Sequence, residues 1–590
     1  MNFNSWQFLV FFPVVWALYL IFAARFRRSL MTRLLLLASS LFFYACWNPA
    51  YLVLILFSVA VTWTAGLLME GRSRARKKLI LALSLVLNLA ILFFFKYYNF
   101  FAGTVNALFA GTQSGAMGVF PALNVLLPAG ISFYTFQALG YSVDVYRGTI
   151  PAERNLITYA LFVTFFPQLV AGPIERTASL LPQFTTNHHF DYDRVTAGLK
   201  LAAWGMFKKV MIADRLAIYV NAVYENPGVF PAPALLLATF LFAFQIYCDF
   251  SGYSDIAVGT AQVLGFRLMA NFRAPYFAAS IGDFWRRWHI SLSTWLKDYV
   301  YIPLGGNRKG ALRRNLNLLI TFALSGLWHG AAWHFVFWGL LHGLFQIIER
   351  SVGGLLNNIR GKSPPRSSRF ASYATPSAGV SPPQRPRIPT FSHGVSEKAG
   401  QSPARNSRSK PVGFASATPP NHGAEEMRGF ETTSNTRGFP AGSRSAVALR
   451  VLATFALVCL AWVFFRAESL SDAVLIVKKF TTFPAELVEY ARRIPEMGLV
   501  ASVHDAFSLG STAAVPVAKF GIKACALSFA FIAVLLAASW WTRGTAGTDR
   551  VKTLPPVVRW AGYYALVYAL VLVILRDRPE ESSQFIYFTF

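Results

Sequence analysis

Long apolar runs separated by short polar breaks dominate the chain. Stretches such as Leu9 to Ala24, Leu79 to Phe95 and Phe455 to Phe465 approach the roughly 20 apolar residues that a helix needs to cross a bilayer. About 10 to 12 segments of this kind can be counted, some of them short or polar. The first run has no basic stretch before it and no small-residue cleavage site after it, so it is expected to stay as a helix rather than be removed as a signal. The pattern predicts an all-α, polytopic membrane protein. No repeat with a period of about 20 to 50 residues is evident, which disfavours a solenoid.

One region departs from this pattern. Residues 351–445 are rich in Ser, Pro, Gly and Arg and have almost no aliphatic periodicity. Such a segment buries too little apolar surface to offset the entropy of ordering, and it is expected to be a disordered insertion. It would divide a membrane core into residues 1–350 and 446–590.

Composition agrees, with 55% hydrophobic and 14% charged residues and a mean hydropathy of +0.43. The net charge of +28 raises the question of a nucleic-acid partner. Its distribution points to the lipid bilayer instead. Basic clusters at Arg25 to Arg28 and Arg72 to Lys78 are separated by two apolar spans, at about residues 32–46 and 50–69, so both fall on one side, and short Lys/Arg-rich loops mark the cytoplasmic side. Cys46, Cys248, Cys459 and Cys525 are widely spaced in apolar settings, as packing residues are, and form no metal-binding spacing.

Three segments carry more polarity than packing requires. In Phe165 to Thr177, "FFPQLVAGPIERT", Pro167, Gly172 and Pro173 interrupt an apolar run that also holds Gln168, Glu175 and Arg176. Broken backbone at membrane depth is tolerated only inside protein or along a cavity, and a surface loop is the other reading. In Tyr247 to Gly259, Asp249 and Asp255 follow a long apolar stretch. Each carboxylate would cost at least about 2.5 to 3.5 kcal/mol at the bilayer centre, so both need partners or an aqueous cavity; ion pairing and substrate binding are both open. In Phe284 to Gly310, Trp285, Trp288, Leu292, Trp295, Leu296 and Tyr299 recur at helical spacing, which predicts an amphipathic interfacial helix with Arg286 and Arg287 facing elsewhere and His289 at the edge of the stripe.

The stretch "SGLWHGAAWHF", Ser325 to Phe335, holds His329 and His334, and His342 follows. A lone histidine in an apolar helix is more often a packed residue than a catalyst, and His334 and His342 are read that way. On one helix His329 and His342 would lie about 220° apart, so no metal site is expected. His188 and His189 belong to a polar loop.

Several of these stretches, taken in order, resemble a known family. "GISFYTFQALGYSVDVYRG", "FFPQLVAGPIERT", "DFSGYSDIAVG", "FWRRWHISLSTWLKDYVYIPLGGNR", "GLWHGAAWHFVFWGLLHG" and "WVFFRAESLSDA" resemble the membrane-bound O-acyltransferase superfamily, in particular its bacterial alginate O-acetyltransferase branch, which is related to the teichoic acid D-alanyl transfer protein. The likeness covers nearly everything outside residues 351–445. It implies a helical fold around a substrate tunnel in the bacterial cytoplasmic membrane. The family's invariant histidine and its second polar position fall on His329 and His289, forty residues apart.

The chemistry suits that assignment. Acyl transfer from a thioester to a hydroxyl needs a base, and imidazole, with an unperturbed pKa of about 6.5, is neutral when buried and able to take the proton. Trp328 and Trp333 are expected to narrow the passage and keep water from the thioester, with Gly326 and Gly330 leaving room for a substrate chain. Trp285, Arg286, Arg287 and the loop cations Arg308, Lys309, Arg313 and Arg314 are candidates to meet the donor, and lipid anchoring serves those cations equally well. No bound cofactor is expected; acetyl-CoA or another acyl thioester would be the donor substrate. Tyr587, three residues from the last residue, is either an interfacial anchor or a transient acyl carrier.

The resemblance implies transfer of acetyl groups toward hydroxyls of an exported polysaccharide, directly or through an exported acetyltransferase partner. Acylation of peptidoglycan or teichoic acid is the alternative in the same class. A proton-coupled transporter using Asp249, Asp255 and His329, or a scaffold for polymer export, are the alternatives outside it.

Overall fold

The computed structural model describes residues 1–25, 30–109, 120–170, 172–186, 188–359, 444–509, 520–542, 551, 553–576 and 585. It is helical, with no strand among the described residues. The chain forms two compact units, Met1–Glu349 together with Gly442–Phe590, and Arg350–Ala441. Most of the expected insertion, residues 360–443, lies outside the described residues, whereas the preceding helix runs on to Ile359.

Among the described residues six helices are long and apolar enough to span a bilayer: Trp6–Arg25, Pro49–Met69, Arg74–Phe109, Ala232–Leu264, Arg444–Arg466 and Ile522–Trp541. Leu30–Ala45 and Pro556–Leu572 are shorter apolar helices. The protein is a multi-pass, all-α membrane protein. Other helices that a hydropathy count includes carry buried polar residues, as Gly310–His329 does with Asn317, Thr321, Ser325 and His329.

The N-terminal layer is α1 (Trp6–Arg25), α2 (Leu30–Ala45), α3 (Leu52–Met69) and α4 (Arg74–Leu92), which continues through a π-helical turn, Phe93–Tyr97, into α5 (Tyr98–Phe109). Two helices, α2 and α3, thus separate the first two basic clusters. Against α3 and α4 packs α6 (Ile131–Arg147). Ser84 and Ser142 pair at 3.4 Å, and Lys96 Nζ donates to Ser132 Oγ at 3.5 Å, so α4 and α6 run antiparallel in a fixed register.

Next come α7 (Leu156–Thr164), α8 (Tyr192–Met206), α9 (Asp214–Glu225) and the central α10 (Ala232–Leu264), buried along almost every turn. A glycine seam brings α8 onto α10: a Cβ added at Gly198, Gly205, Gly252 or Gly259 would stand 2.5 to 2.8 Å from the facing glycine carbonyl. Close backbone approach of this kind is how helices associate where water supplies no hydrophobic drive.

The described residues from Phe165 to Thr177 are buried in protein rather than exposed as a surface loop, apart from the half-buried Arg176: Pro167, Gln168, Gly172, Pro173 and Glu175 are all buried. Side chains satisfy the backbone freed at the break. Gln137 and Gln168 both donate to the Phe162 carbonyl, at 2.6 and 2.9 Å, and Ser40 Oγ accepts from Phe166 N at 3.1 Å. Glu175 accepts from Met269 N at 2.6 Å, tying this segment to the loop after α10.

Candidate active site

The expected amphipathic helix over Phe284 to Tyr299 does not form. The chain makes α11 (Ile281–Arg287), breaks at Trp288 and His289, and resumes as α12 (Ile290–Leu296). His289 has φ 43° and ψ 54°, in the left-handed region that a non-glycine residue occupies only when its surroundings impose it. Asn271 imposes it here, accepting from Ile290 N through its carbonyl at 3.0 Å and from Ser291 N through its side chain at 3.2 Å. The tryptophan stripe is therefore core. Trp285, Trp288 and Trp295 are buried, because the break turns both short helices inward.

His329 is the last residue of α13 (Gly310–His329), and α14 (Trp333–Ile359) begins four residues later. The break at Gly330 removes the single-helix angle between His329 and His342. Gly326 and Gly330 make room for protein, not for substrate: a Cβ at Gly326 would meet the Phe335 carbonyl at 2.1 Å, and one at Gly330 would meet the Phe335 ring at 2.0 Å. They let α14 fold back on α13 and fix the orientation of the His329 turn.

The structure brings the two motif histidines together. Their ring centroids are 6.1 Å apart, and both residues are buried, His289 at 0% and His329 at 2% exposure. Trp328 touches both rings, at 5.0 Å from His329 and 5.6 Å from His289. Trp338 on α14 and Phe465 on α15 (Arg444–Arg466) close the other side of His329, at 5.1 and 5.5 Å. Phe250 of α10 lies 4.6 Å from His289. Trp333 is not in this shell. It is 56% exposed and packs against Phe100 and Thr104, so Trp338 has the place that the sequence reading gave to Trp333.

One functional group escaped the sequence reading. Lys96, in the π-helical turn after α4, donates to the carbonyls of Trp328 at 2.8 Å and His329 at 3.1 Å. A cation on the last carbonyls of a helix satisfies acceptors that have no intrahelical partner and complements the helix dipole. Lys96 thus fixes the backbone that carries His329. The signal in the sequence was a single lysine inside "LAILFFFKYYNFF", costly in an apolar helix unless it has partners.

Other expected residues go elsewhere. Trp285 donates through Nε1 to His342 Nδ1 at 3.3 Å, one layer behind His329, and Trp338 meets both histidines edge-on, 5.1 Å from each. His334 Nδ1 pairs with the Phe464 carbonyl at 3.0 Å. Asp249 pairs with Lys209 at 2.6 Å and Asp255 with Lys208 at 2.5 Å, Lys209 also reaching Asp214 at 2.8 Å. Arg287 pairs with Asp283 at 2.9 Å, and Arg286 is mostly exposed, 3.8 Å from the same carboxylate. His188 packs on Phe266. Tyr587 lies outside the described residues, but Phe585 is fully buried against Tyr253 and Phe250, at 4.4 and 5.8 Å, on the side of α10 that meets His289.

Comparison with known proteins gives the family of the chain. The sequence profile of the membrane-bound O-acyltransferase family matches residues 150–368, which include both His289 and His329. The probable alginate O-acetylase AlgI of Pseudomonas putida is 44% identical over 360 residues, covering 60% of this chain and 71% of that protein. The peptidoglycan O-acetyltransferase of Helicobacter pylori is 37% identical over 377 residues, covering 59% and 70%. The teichoic acid D-alanyltransferase of Bacillus subtilis is 28% identical over 239 residues, covering 38% and 60%. The chain belongs to the membrane-bound O-acyltransferase family and is an O-acyltransferase.

Proposed function

We propose that this protein passes an acetyl group from a cytoplasmic acyl thioester, acetyl-CoA or a related donor, toward hydroxyls of an exported polysaccharide of the alginate type, in a bacterial cytoplasmic membrane. The observation that carries the reading is the pair of buried histidine rings 6.1 Å apart at two imposed backbone breaks. His329 acts as the base. It takes the proton of the acceptor hydroxyl as that oxygen attacks the thioester carbonyl; the carbon–sulfur bond then breaks and the proton passes to the departing thiolate. His289 orients the acceptor from the facing side, and Lys96 holds the His329 turn in place. The aromatic shell of Trp328, Trp338 and Phe465 limits water, which would otherwise hydrolyse the thioester.

The acceptor is the polysaccharide itself or a group that relays acetyl to an exported acetyltransferase partner. Burial of Phe585 beside Phe250 supports the tail as that relay, with Tyr587 the nucleophile two residues on. The likeness to a peptidoglycan O-acetyltransferase favours peptidoglycan as the second substrate reading. Ester-linked acetate on the surface polymer of cells carrying His329→Ala tests the proposal: it should be lost at normal protein level, and normal ester content would refute it. Full acetylation in Tyr587→Phe would remove the relay while leaving His329 in place.

A further inference from the structure

A basic cleft of about 430 Å³ lies at one end of the α3–α4–α6 packing, lined by Arg72, Arg74, Lys77, Tyr146 and Arg147. Arg72 and Arg74 come from the turn into α4 and Arg147 ends α6, so three helix ends bring four cations around one opening. Among the described residues no carboxylate stands within ion-pair distance of any of the four, although the neighbouring Glu70 pairs with Arg154 at 3.0 Å. Arg287, by contrast, is taken by Asp283 at 2.9 Å. Asp144, one turn before Arg147 on α6, offsets part of one charge, but four cations around one opening still repel one another, and an anion that fills the opening relieves that cost.

The cleft and the histidines are at opposite ends of the same helix. Lys96 joins Ser132, in the first turn of α6, to the end of α13, whereas Arg147 closes α6. The fifteen residues between Ser132 and Arg147 rise about 22 Å. A continuous series of contacts follows this helix. Arg147 lies over Tyr299 at 5.2 Å; Tyr299 meets Trp295 at 4.9 Å, Trp295 stacks on Phe136 at 3.9 Å, and Phe136 meets Trp328 at 5.8 Å, beside His329. Arg147 is also anchored, donating to the Asp298 carbonyl at 3.1 Å.

Resting on the acyltransferase reading above, we infer that Arg72, Arg74, Lys77 and Arg147 bind the phosphate end of a pantetheine-type thioester donor. The donor's arm then lies along the aromatic wall of α6 and presents the acyl carbon at the histidines. The cluster at Arg72 to Lys78 also marks the cytoplasmic side by its charge, where such donors are made. A polyphosphorylated thioester meets both requirements, namely several negative charges at one end and an uncharged arm long enough to reach the site. Anionic lipid headgroups offer the same phosphate chemistry without the arm.

The test uses the full chain in nanodiscs of phosphatidylcholine, which has no net charge, with radiolabelled coenzyme A as the probe. Wild-type protein and His329→Ala should bind it equally. The triple variant R72Q/R74Q/K77Q should bind at least tenfold more weakly, with a shallower salt dependence, and R74K should stay within a few-fold of wild type. Pantetheine without phosphate should bind all of them alike. Size-exclusion profiles and melting temperatures check folding, and R147Q gives an independent single-site variant should the triple variant fail to fold. Undiminished coenzyme A binding in both R147Q and the triple variant overturns the assignment. So does a triple variant that loses only its preference for phosphatidylserine-containing bilayers, which would make the cleft a lipid site. If wild-type protein ignores coenzyme A while His329→Ala cells lack polymer ester, the cleft assignment falls and the acyltransferase reading stands. Retained ester in His329→Ala cells removes that reading whatever coenzyme A does.

Discussion

Two polar regions sit within this membrane protein, and they are built in opposite ways. Around α10, Lys208 and Lys209 meet Asp255, Asp249 and Asp214 at 2.5 to 2.8 Å, so each of these charged groups has an oppositely charged partner, with Lys209 shared by two carboxylates. Around the end of α13, His289 and His329 face rings, Trp328, Trp338, Phe250 and Phe465, and the charge that comes near is Lys96, aimed at backbone carbonyls. The first region spends its ionisable groups on holding helices together. In the second, imposed backbone breaks hold two titratable rings inside an aromatic shell. Polarity at membrane depth therefore has two uses in one fold, and the partner of each group tells them apart.

Substitutions that separate folding from chemistry sharpen this contrast. Lys209→Met should have the largest effect on stability. Removing one partner from a buried pair costs about 3 to 5 kcal/mol, so the protein should fall in abundance and melt at lower temperature, and replacing Asp249 and Asp214 with leucine and asparagine in the same chain should restore much of the loss. An unchanged melting temperature in the single variant would break the comparison.

His289→Ala comes next. It should lower the transfer rate by about tenfold to a hundredfold with a melting shift much smaller than that of Lys209→Met, as loss of one orienting contact does. A rate near wild type would leave His289 a packing residue.

Lys96→Met should slow transfer by about tenfold, since it frees two helix-end carbonyls worth about 1 to 2 kcal/mol in a partly buried setting. Lys96→Arg should recover part of the rate, with the acceptor KM little changed in both. A loss that appeared only as lower protein level would make Lys96 structural.

Much of this was legible before the structure. The apolar runs identify a helical membrane protein, and the resemblance to the acyltransferase family puts that family's two polar positions on His289 and His329, forty residues apart. Periodicity failed where backbone geometry overrode it. Trp285, Trp288 and Trp295 have the spacing of an exposed amphipathic helix, yet the left-handed turn at His289 folds that stripe inward. Trp333 is the tryptophan expected to narrow the passage at His329, but Gly330 ends the helix and the return of α14 brings Trp338, nine positions away, against the ring. Lys96 could not be paired with α13 from sequence, since its contacts lie more than 230 positions away. Asp249 and Asp255 were visible as needing partners, and Lys208 and Lys209 became those partners only once the glycine seam brought α8 and the turn after it onto α10.

The central claim is that His329 does chemistry rather than packing. Acetyl transfer by purified His329→Ala, measured per folded molecule against wild type, tests it most directly. The account predicts a loss of at least about a hundredfold, as expected for removal of a general base, with a melting temperature close to wild type. Transfer within a few-fold of wild type by the folded variant would contradict it.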